Sequence, residues 1–322
     1  MEGDQKSGFD ALKRAITLPE SDLTAAEAAS TFFRFFRSRH VADLRLIFRV
    51  VIAVFIFHCV TIAVGALFHA HNFIDWLSDV VTYVGPAFPI YGAVVAWTYL
   101  SASSRLGIVD LFACEITTLC RVGTIFDVGE RYVQMYRNPP AQDKAAAGAA
   151  SFVSQEEYFP VFERNSSDLK LLEALVVTNI TEFYTYMKAT RDSQRRLAQA
   201  GSDPEAWRAS IANVIYMLFL GYEAARKAVD DLIEFQPTQA ENIIVILLTE
   251  LRCYAFLIQY FKPDDLRHTR LKLRRDNYRK IVPELYRQIR LTHGSNDEYW
   301  LAAKETTSEL AARYKEALSE DL

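Results

Sequence analysis

The sequence predicts an all-α protein in which a two-helix transmembrane hairpin is followed by a long juxtamembrane helix and a cytoplasmic helical bundle. Three observations predict it. Residues 50–68 hold only His58, Cys59 and Thr61 among apolar side chains, and residues 80–100 carry no charge; either stretch can cross a hydrocarbon core of ~30 Å. Arg34, Arg37, Arg39, Arg45 and Arg49 precede the first stretch and Arg105 follows the second, whereas His69 to Asp79 between them has no Lys or Arg. Basic residues stay on the cytoplasmic side, so both termini are expected there, in a multi-pass protein of the cell inner (plasma) membrane. From Ser154 onward, helix-type periodicity is punctuated by recurring capping pairs.

These observations divide the chain into an N-terminal arm with an interfacial amphipathic helix (1–40), the hairpin (41–105), the juxtamembrane helix (106–138), a linker (139–153) and the helical domain (154–322). The hydrophobic fraction of 51% reflects the membrane segment, and 36 Lys+Arg against 40 Asp+Glu give a formal charge of -4, a balance that disfavours nucleic acid as a partner. Cys59, Cys114, Cys120 and Cys253 form neither a disulfide framework nor a zinc or redox spacing and read as small buried apolar groups. No cleavable leader is expected, the first membrane helix serving as the targeting signal.

Along the arm, Thr24 and Glu27 have capping-box spacing, and the helix they open carries Phe32, Phe33, Phe35 and Phe36 between Arg34, Arg37, Arg39 and His40. That composition suits a helix in the headgroup region, or one packed on the main domain. Trp76 and Tyr83 bracket one end of the second span and Trp97 and Tyr99 the other, as interfacial belts do. His58 and Tyr91, counted inward from the outer loop, reach similar depth and are expected to meet. A neutral imidazole there is either structural glue between helices or, together with Thr61 and Tyr91, part of a pore lining. Pro86 and Pro89, near Gly85 and Gly92, predict a kink in the second helix. In the outer loop, His69, His71, Asp75 and Asp79 read as solvated residues rather than metal ligands.

From Arg105 to Arg137 the pattern predicts one helix of ~33 residues and ~50 Å. A coiled-coil-like stripe runs through Val109, Phe112, Ile116, Leu119, Phe126 and Val133, and a second through Val122, Ile125, Tyr132 and Tyr136, so more than one face should be covered. Pro139-Pro140 ends it, and an Ala/Pro/Gly-rich linker follows. Capping pairs Ser154/Glu157, Ser202/Glu205, Thr238/Glu241 and Ser295/Glu298 then mark the domain. One helix is expected over Asp168 to Ala200 with Leu172, Val176, Ile180, Phe183 and Met187 inward. Another is expected over Pro204 to Phe235 with Trp207, Ile211, Val214, Leu218, Tyr222, Ala225, Val229 and Leu232 inward. The stretch Ile243–Leu248 is apolar all round, but Glu250 and Arg252 would each cost ~3 kcal/mol at the centre of a bilayer, so a core helix is expected there rather than a third span.

Arg270, Lys272, Arg274, Arg275, Arg279 and Lys280, interleaved with Tyr278 and followed by Tyr286, Arg287 and Arg290, form the strongest charge cluster. It suits an anionic partner, or a solvated face balanced by the acidic final helix; Pro283 is expected to kink or divide the helix that carries it. There is no glycine-rich phosphate loop, Cys/His metal quartet or nucleophile elbow, and the acid pairs Asp230/Asp231 and Asp264/Asp265 suit helix surfaces and starts, so neither an enzyme nor a cofactor or metal is expected. The expected function is a membrane-anchored helical interaction or signal-transmitting protein whose partners are membrane lipids and further copies of itself or another protein. Membrane-effector subunits of bacterial multi-protein stress or defence systems share this layout, an analogy of architecture alone. An oligomeric channel is the main alternative, and a membrane-bound enzyme with a site assembled only in the fold is the other.

Overall fold

A computed structural model describes residues 31–68, 72–139, 159–197, 203–233 and 239–293, and among these all regular structure is helical. The described residues fall into two compact units, one up to Val109 and one from Asp110. Each is described by itself.

In the first unit, α1 (Thr31–Arg37) leads through a 3-10 turn (Arg39–Val41) into α2 (Ala42–Leu67). Ser38 breaks the helix with extended backbone, and its hydroxyl accepts from the His40 N–H. Phe35 is buried with Val41 and Leu44 and with Ala102 and Leu106 of α4 (Ala87–Ile125), so the Phe-rich segment turns this ring into the unit. Edge-to-face contacts of Phe35 with Phe36, Phe48 and Tyr99 extend the cluster. Arg105 clamps it by donating to the His40 carbonyl at 3.0 Å and the Asp43 carboxylate at 2.8 Å, and Arg45 donates to the Phe36 carbonyl.

Above this base α2 is apolar on every side. Its 26 residues span ~39 Å, and only 6% of its membrane-length window is covered. The partner strand of chain is α3 (Phe73–Val84) followed by α4, bent by 47° at Gly85–Pro86. A β-carbon at Gly85 would lie 2.6 Å from the Val81 carbonyl oxygen, and Pro86 has no N–H to continue the ladder, which locates the expected kink. Pairs at opposite ends of the two segments fix their antiparallel sense: Asp43 with Arg105, Phe55 with Phe88 and Tyr91, and the Trp76 indole N–H on the Ala63 carbonyl at 3.0 Å.

The outer connection is shorter than expected. Asn72 caps α3, its side-chain oxygen accepting from the Asp75 N–H at 2.9 Å, so Asp75 and Asp79 lie on a helix rather than in a loop; His69 and His71 lie outside the described residues. The N-cap was the overlooked signal, with Asp75 in the first turn complementing the helix dipole.

Two further expectations are corrected at α4. It starts before Arg105, running without interruption from the apolar segment to Ile125, and it stops there instead of reaching Arg137. Asp127 adopts the left-handed conformation (φ 53°), which Asp tolerates better than most residues, and its carboxylate pairs with Arg252. A new helix, α5 (Val128–Arg137), follows. Along α4 the covered row is Val109, Phe112, Ile116, Cys120 and Thr124, while Val122 is exposed, and at the break Phe126 is 55% exposed.

The second unit continues with α6 (Pro160–Asn165), a 3-10 turn (Ser166–Leu171), α7 (Ala174–Leu197), α8 (Pro204–Leu232), α9 (Gln239–Tyr260) and α10 (Leu266–His293). Helix α8 is central, packing on α5, α7 and α9; all eight positions expected inward are buried. Asp203, not Ser202, caps it, accepting from the Glu205 N–H at 3.0 Å, with Pro204 in the first turn where no donor is missed. Helix α7 starts at Ala174, six residues later than expected, because the chain before it is a 3-10 turn ending in extended Leu172; Met187 is half-buried rather than enclosed. Helix α9 is 72% covered over its apolar window. Pro283 does not divide α10. The pairs headed by Thr24, Ser154, Thr238 and Ser295, the linker after Pro139 and the acidic final helix lie outside the described residues.

Where α4 meets α8, the Tyr222 hydroxyl donates to the Cys120 carbonyl at 3.3 Å, and beside it the Thr124 hydroxyl shares a hydrogen bond with Thr249 at 2.8 Å. A β-carbon at Gly123 would overlap the Tyr222 hydroxyl, whereas the ring carbon behind it lies 3.5 Å away. Gly123→Ala should therefore destabilise the protein by about 1–3 kcal/mol of overpacking, and Tyr222→Phe should relieve most of that. Thermal unfolding of the two single variants and the double variant measures the rescue; additive losses would contradict the packing described.

Candidate functional site

Neither set of residues singled out in the sequence stands alone in the structure. In the apolar unit His58 and Tyr91 do meet, with ring centroids 6.3 Å apart. Thr61 is exposed, and its hydroxyl donates to the Phe57 carbonyl of its own helix at 2.8 Å. The unit thus brings two of the three polar residues together and leaves Thr61 satisfied locally.

The cationic face of α10 is built on a charged core. Glu250, at the middle of α9, is fully buried. Arg226 of α8 grips it with two N–H groups, at 2.7 and 3.1 Å, and the Tyr278 hydroxyl of α10 donates to the same carboxylate at 2.7 Å. Three helices are fastened at one side chain. A bidentate pair of this kind is the geometry in which a buried charge is tolerated, because most lone pairs of the carboxylate find donors. Burial, reinforced by Glu250, holds the Tyr278 phenol well above its usual range, so the hydroxyl remains a donor.

Beside it, Arg274 donates to both oxygens of Glu223, at 2.9 and 2.8 Å, and lies over the Phe219 ring. Lys227 approaches Glu223 at 3.1 Å from one turn along α8. Burial alone would raise the Glu223 carboxyl, but Arg274 and Lys227 outweigh it and hold the group below its usual range. Arg274 is therefore a packing residue as much as a surface cation. Between α8 and α10 these groups wall a cleft of about 280 Å³, which Asn277, Lys280 and Ile281 complete.

Of the six cations picked from the sequence, Arg274 and Lys280 line this cleft. Arg270 and Lys272 are exposed and Arg275 is half-buried, and none of the three lines it; the side chains of Arg279, Tyr286, Arg287 and Arg290 lie outside the described ones. Arg267 is taken up by Asp265 at 2.8 Å and by the Phe261 ring, 4.0 Å below its guanidinium, and Asp231 accepts from Asn179. Sequence reasoning missed Glu223, Arg226 and Lys227. Their signal was one acid and two bases on a helix that otherwise reads as core: charge at a covered position demands a partner.

A second carboxylate has a constructional task. Glu115 of α4 accepts from the Val161 and Phe162 N–H groups at the start of α6, at 2.9 and 3.2 Å, and from the Tyr184 hydroxyl, so it caps a short helix from a distance. Among the described residues no three His, Cys, Asp or Glu side chains gather as a metal site. Cys120 and Cys253 are enclosed, and burial raises both thiols, whereas Cys114 is exposed and Cys59 only half-buried, unlike the buried groups expected. What the arrangement offers is a rigid wall of fixed positive charge, with both nearby carboxylates committed to arginines.

The core pair makes a ranked prediction. Glu250→Gln leaves Arg226 without its counter-charge and should cost about 3–5 kcal/mol, whereas Tyr278→Phe removes one hydrogen bond and should cost about 1 kcal/mol. Glu223, being held low, contributes stability above the ordinary glutamate value near ~4.3 that is lost as pH falls through its lower folded value. Glu223→Gln should accordingly flatten the acid limb of a melting-temperature profile; an unchanged limb would contradict the assignment. Comparison with family models, curated proteins and solved structures returns no match for this chain.

Proposed function

We propose that the chain is a membrane-anchored helical protein that holds a partner, or passes a signal, through a bundle on the cytoplasmic side of the inner membrane. One contrast carries the reading. Among the described residues two helices, α2 and α9, are each long and apolar enough to cross a membrane, and the bent pair α3–α4 would make a third span. Helix α9 has its apolar surface covered by neighbours, while α2 has almost none covered. Phe57 is 73% exposed and Phe68 82%, and each large apolar side chain left in water forgoes roughly 1.5–3 kcal/mol. Lipid around α2 and α3–α4 removes that cost, and the arginine asymmetry then sets both ends of the pair toward the cytoplasm. Helix α4 is a single element from Ala87 to Ile125.

The channel alternative draws on His58, an ionisable group in the middle of a span. The ring contact of His58 with Tyr91 and the local bond of the Thr61 hydroxyl to its own helix favour the anchor, since both residues are engaged within the helix pair.

In an anchor, His58→Leu should lower stability by no more than ~0.6 kcal/mol, and the native protein should stay with membranes after alkaline carbonate extraction and leave reconstituted vesicles tight to ions. Release by carbonate would defeat the membrane reading. A pH-dependent ion flux that disappears in His58→Leu would establish the channel instead.

A further inference from the structure

We infer that the cleft between α8 and α10 is a binding site for a phosphate monoester. Arg226, Lys227, Arg274 and Lys280 bring four positive charges to its wall, and Glu223 brings one negative charge. Glu250, behind the wall, answers one more through Arg226. Two positive charges remain in excess, which matches the ~-1.5 to -2 of a phosphate monoester at neutral pH and exceeds what a carboxylate supplies.

The geometry favours a compact anion over a polymer. Glu223 and Glu250 hold the two guanidinium planes through bidentate bonds, so the rear of the cleft is fixed before anything binds. The exposed side chains are at the mouth: Lys227 is 46% exposed, and Asn277 and Lys280 are exposed on α10. Arg274, Asn277 and Ile281 stand at helical spacing, so guanidinium, amide and methyl groups follow one another along one face. Ile281 and the Tyr278 ring give that face an apolar border. About 280 Å³ sits at the lower edge of the ~300–1,000 Å³ typical of small-molecule sites, enough for a phosphate and a small organic group. Arg270, Lys272 and Arg275 of the basic face lie outside the cleft, so the site is narrower than the charge run suggests. This inference concerns the bundle alone and stands whether or not the anchor reading does.

The phosphate could arrive on a soluble ester or on a lipid headgroup, and the full-length protein in phosphatidylcholine nanodiscs separates the two. Titration with inorganic phosphate should saturate and weaken as salt is added. Lys227→Gln with Lys280→Gln should raise the apparent Kd by roughly tenfold or more, Lys280→Gln alone by less, and Lys272→Gln, on the same helix outside the cleft, should leave it unchanged. Nanodiscs containing phosphatidic acid raise the apparent Kd for added phosphate if a headgroup is the natural occupant and leave it alone if a soluble ester is; both results support the site. Absence of saturable phosphate binding, native-like affinity in the double variant, or equal weakening by Lys272→Gln would overturn it. Lys280→Gln alone keeps the test decisive if the double variant unfolds, because Lys280 is exposed at the cleft's mouth.

Discussion

Everything in the second unit depends on how Glu250 is accommodated. A carboxylate at the middle of the chain's most completely covered helix would cost several kcal/mol if left alone, and the cost is met by Arg226 from α8 and Tyr278 from α10. That requirement fixes the rotation of α9, brings α10 alongside, and places Arg274 where Glu223 can receive it. The cleft is a by-product of the same demand: the arginines recruited to neutralise core acids also line it.

The first unit is governed by the opposite condition. Its helices carry little charge to match and little apolar surface covered by protein, so their placement rests on a few specific contacts: the Phe35 cluster with its Arg105 clamp at one end, aromatic pairs along the middle, and the Trp76 indole at the other end. A helix pair of this kind is sparsely held in water and well served by lipid, where dispersion and a few hydrogen bonds drive association. The two units also handle polar groups differently. Thr61 turns to its own backbone, as an isolated hydroxyl in a nonpolar setting does, while Thr124 and Thr249 bond across helices.

Much of this was legible in sequence, because apolar periodicity reports burial directly. The eight inward positions of α8 and the covered state of α9 followed from spacing and from the cost of two charges. The bend at Gly85–Pro86 followed from residues with known backbone limits. Two of the failures share a cause, which is that one residue changed local conformation without altering the apolar pattern. Asn72 started a helix inside an apparent loop, and left-handed Asp127 ended one inside an apparent stripe, turning Phe126 outward. The candidate site was half legible. Arg274 and Lys280 were visible as a charge run, but their partners lie about fifty residues away on α8, and no spacing rule connects Glu223, Arg226 and Lys227 to them.

With Glu250 of α9 held inside the bundle, the proposed anchor crosses the membrane through α2 and the α3–α4 pair and not through α9. Sidedness of labelling tests it most directly. With Cys59 and Cys114 replaced by Ala, and Cys120 and Cys253 enclosed, a membrane-impermeant maleimide can report single introduced thiols. Asn72→Cys should react from one side, and Ser104→Cys, Glu205→Cys and Lys262→Cys all from the other. Labelling of Lys262→Cys from the same side as Asn72→Cys would contradict the account, because α9 would then be a span.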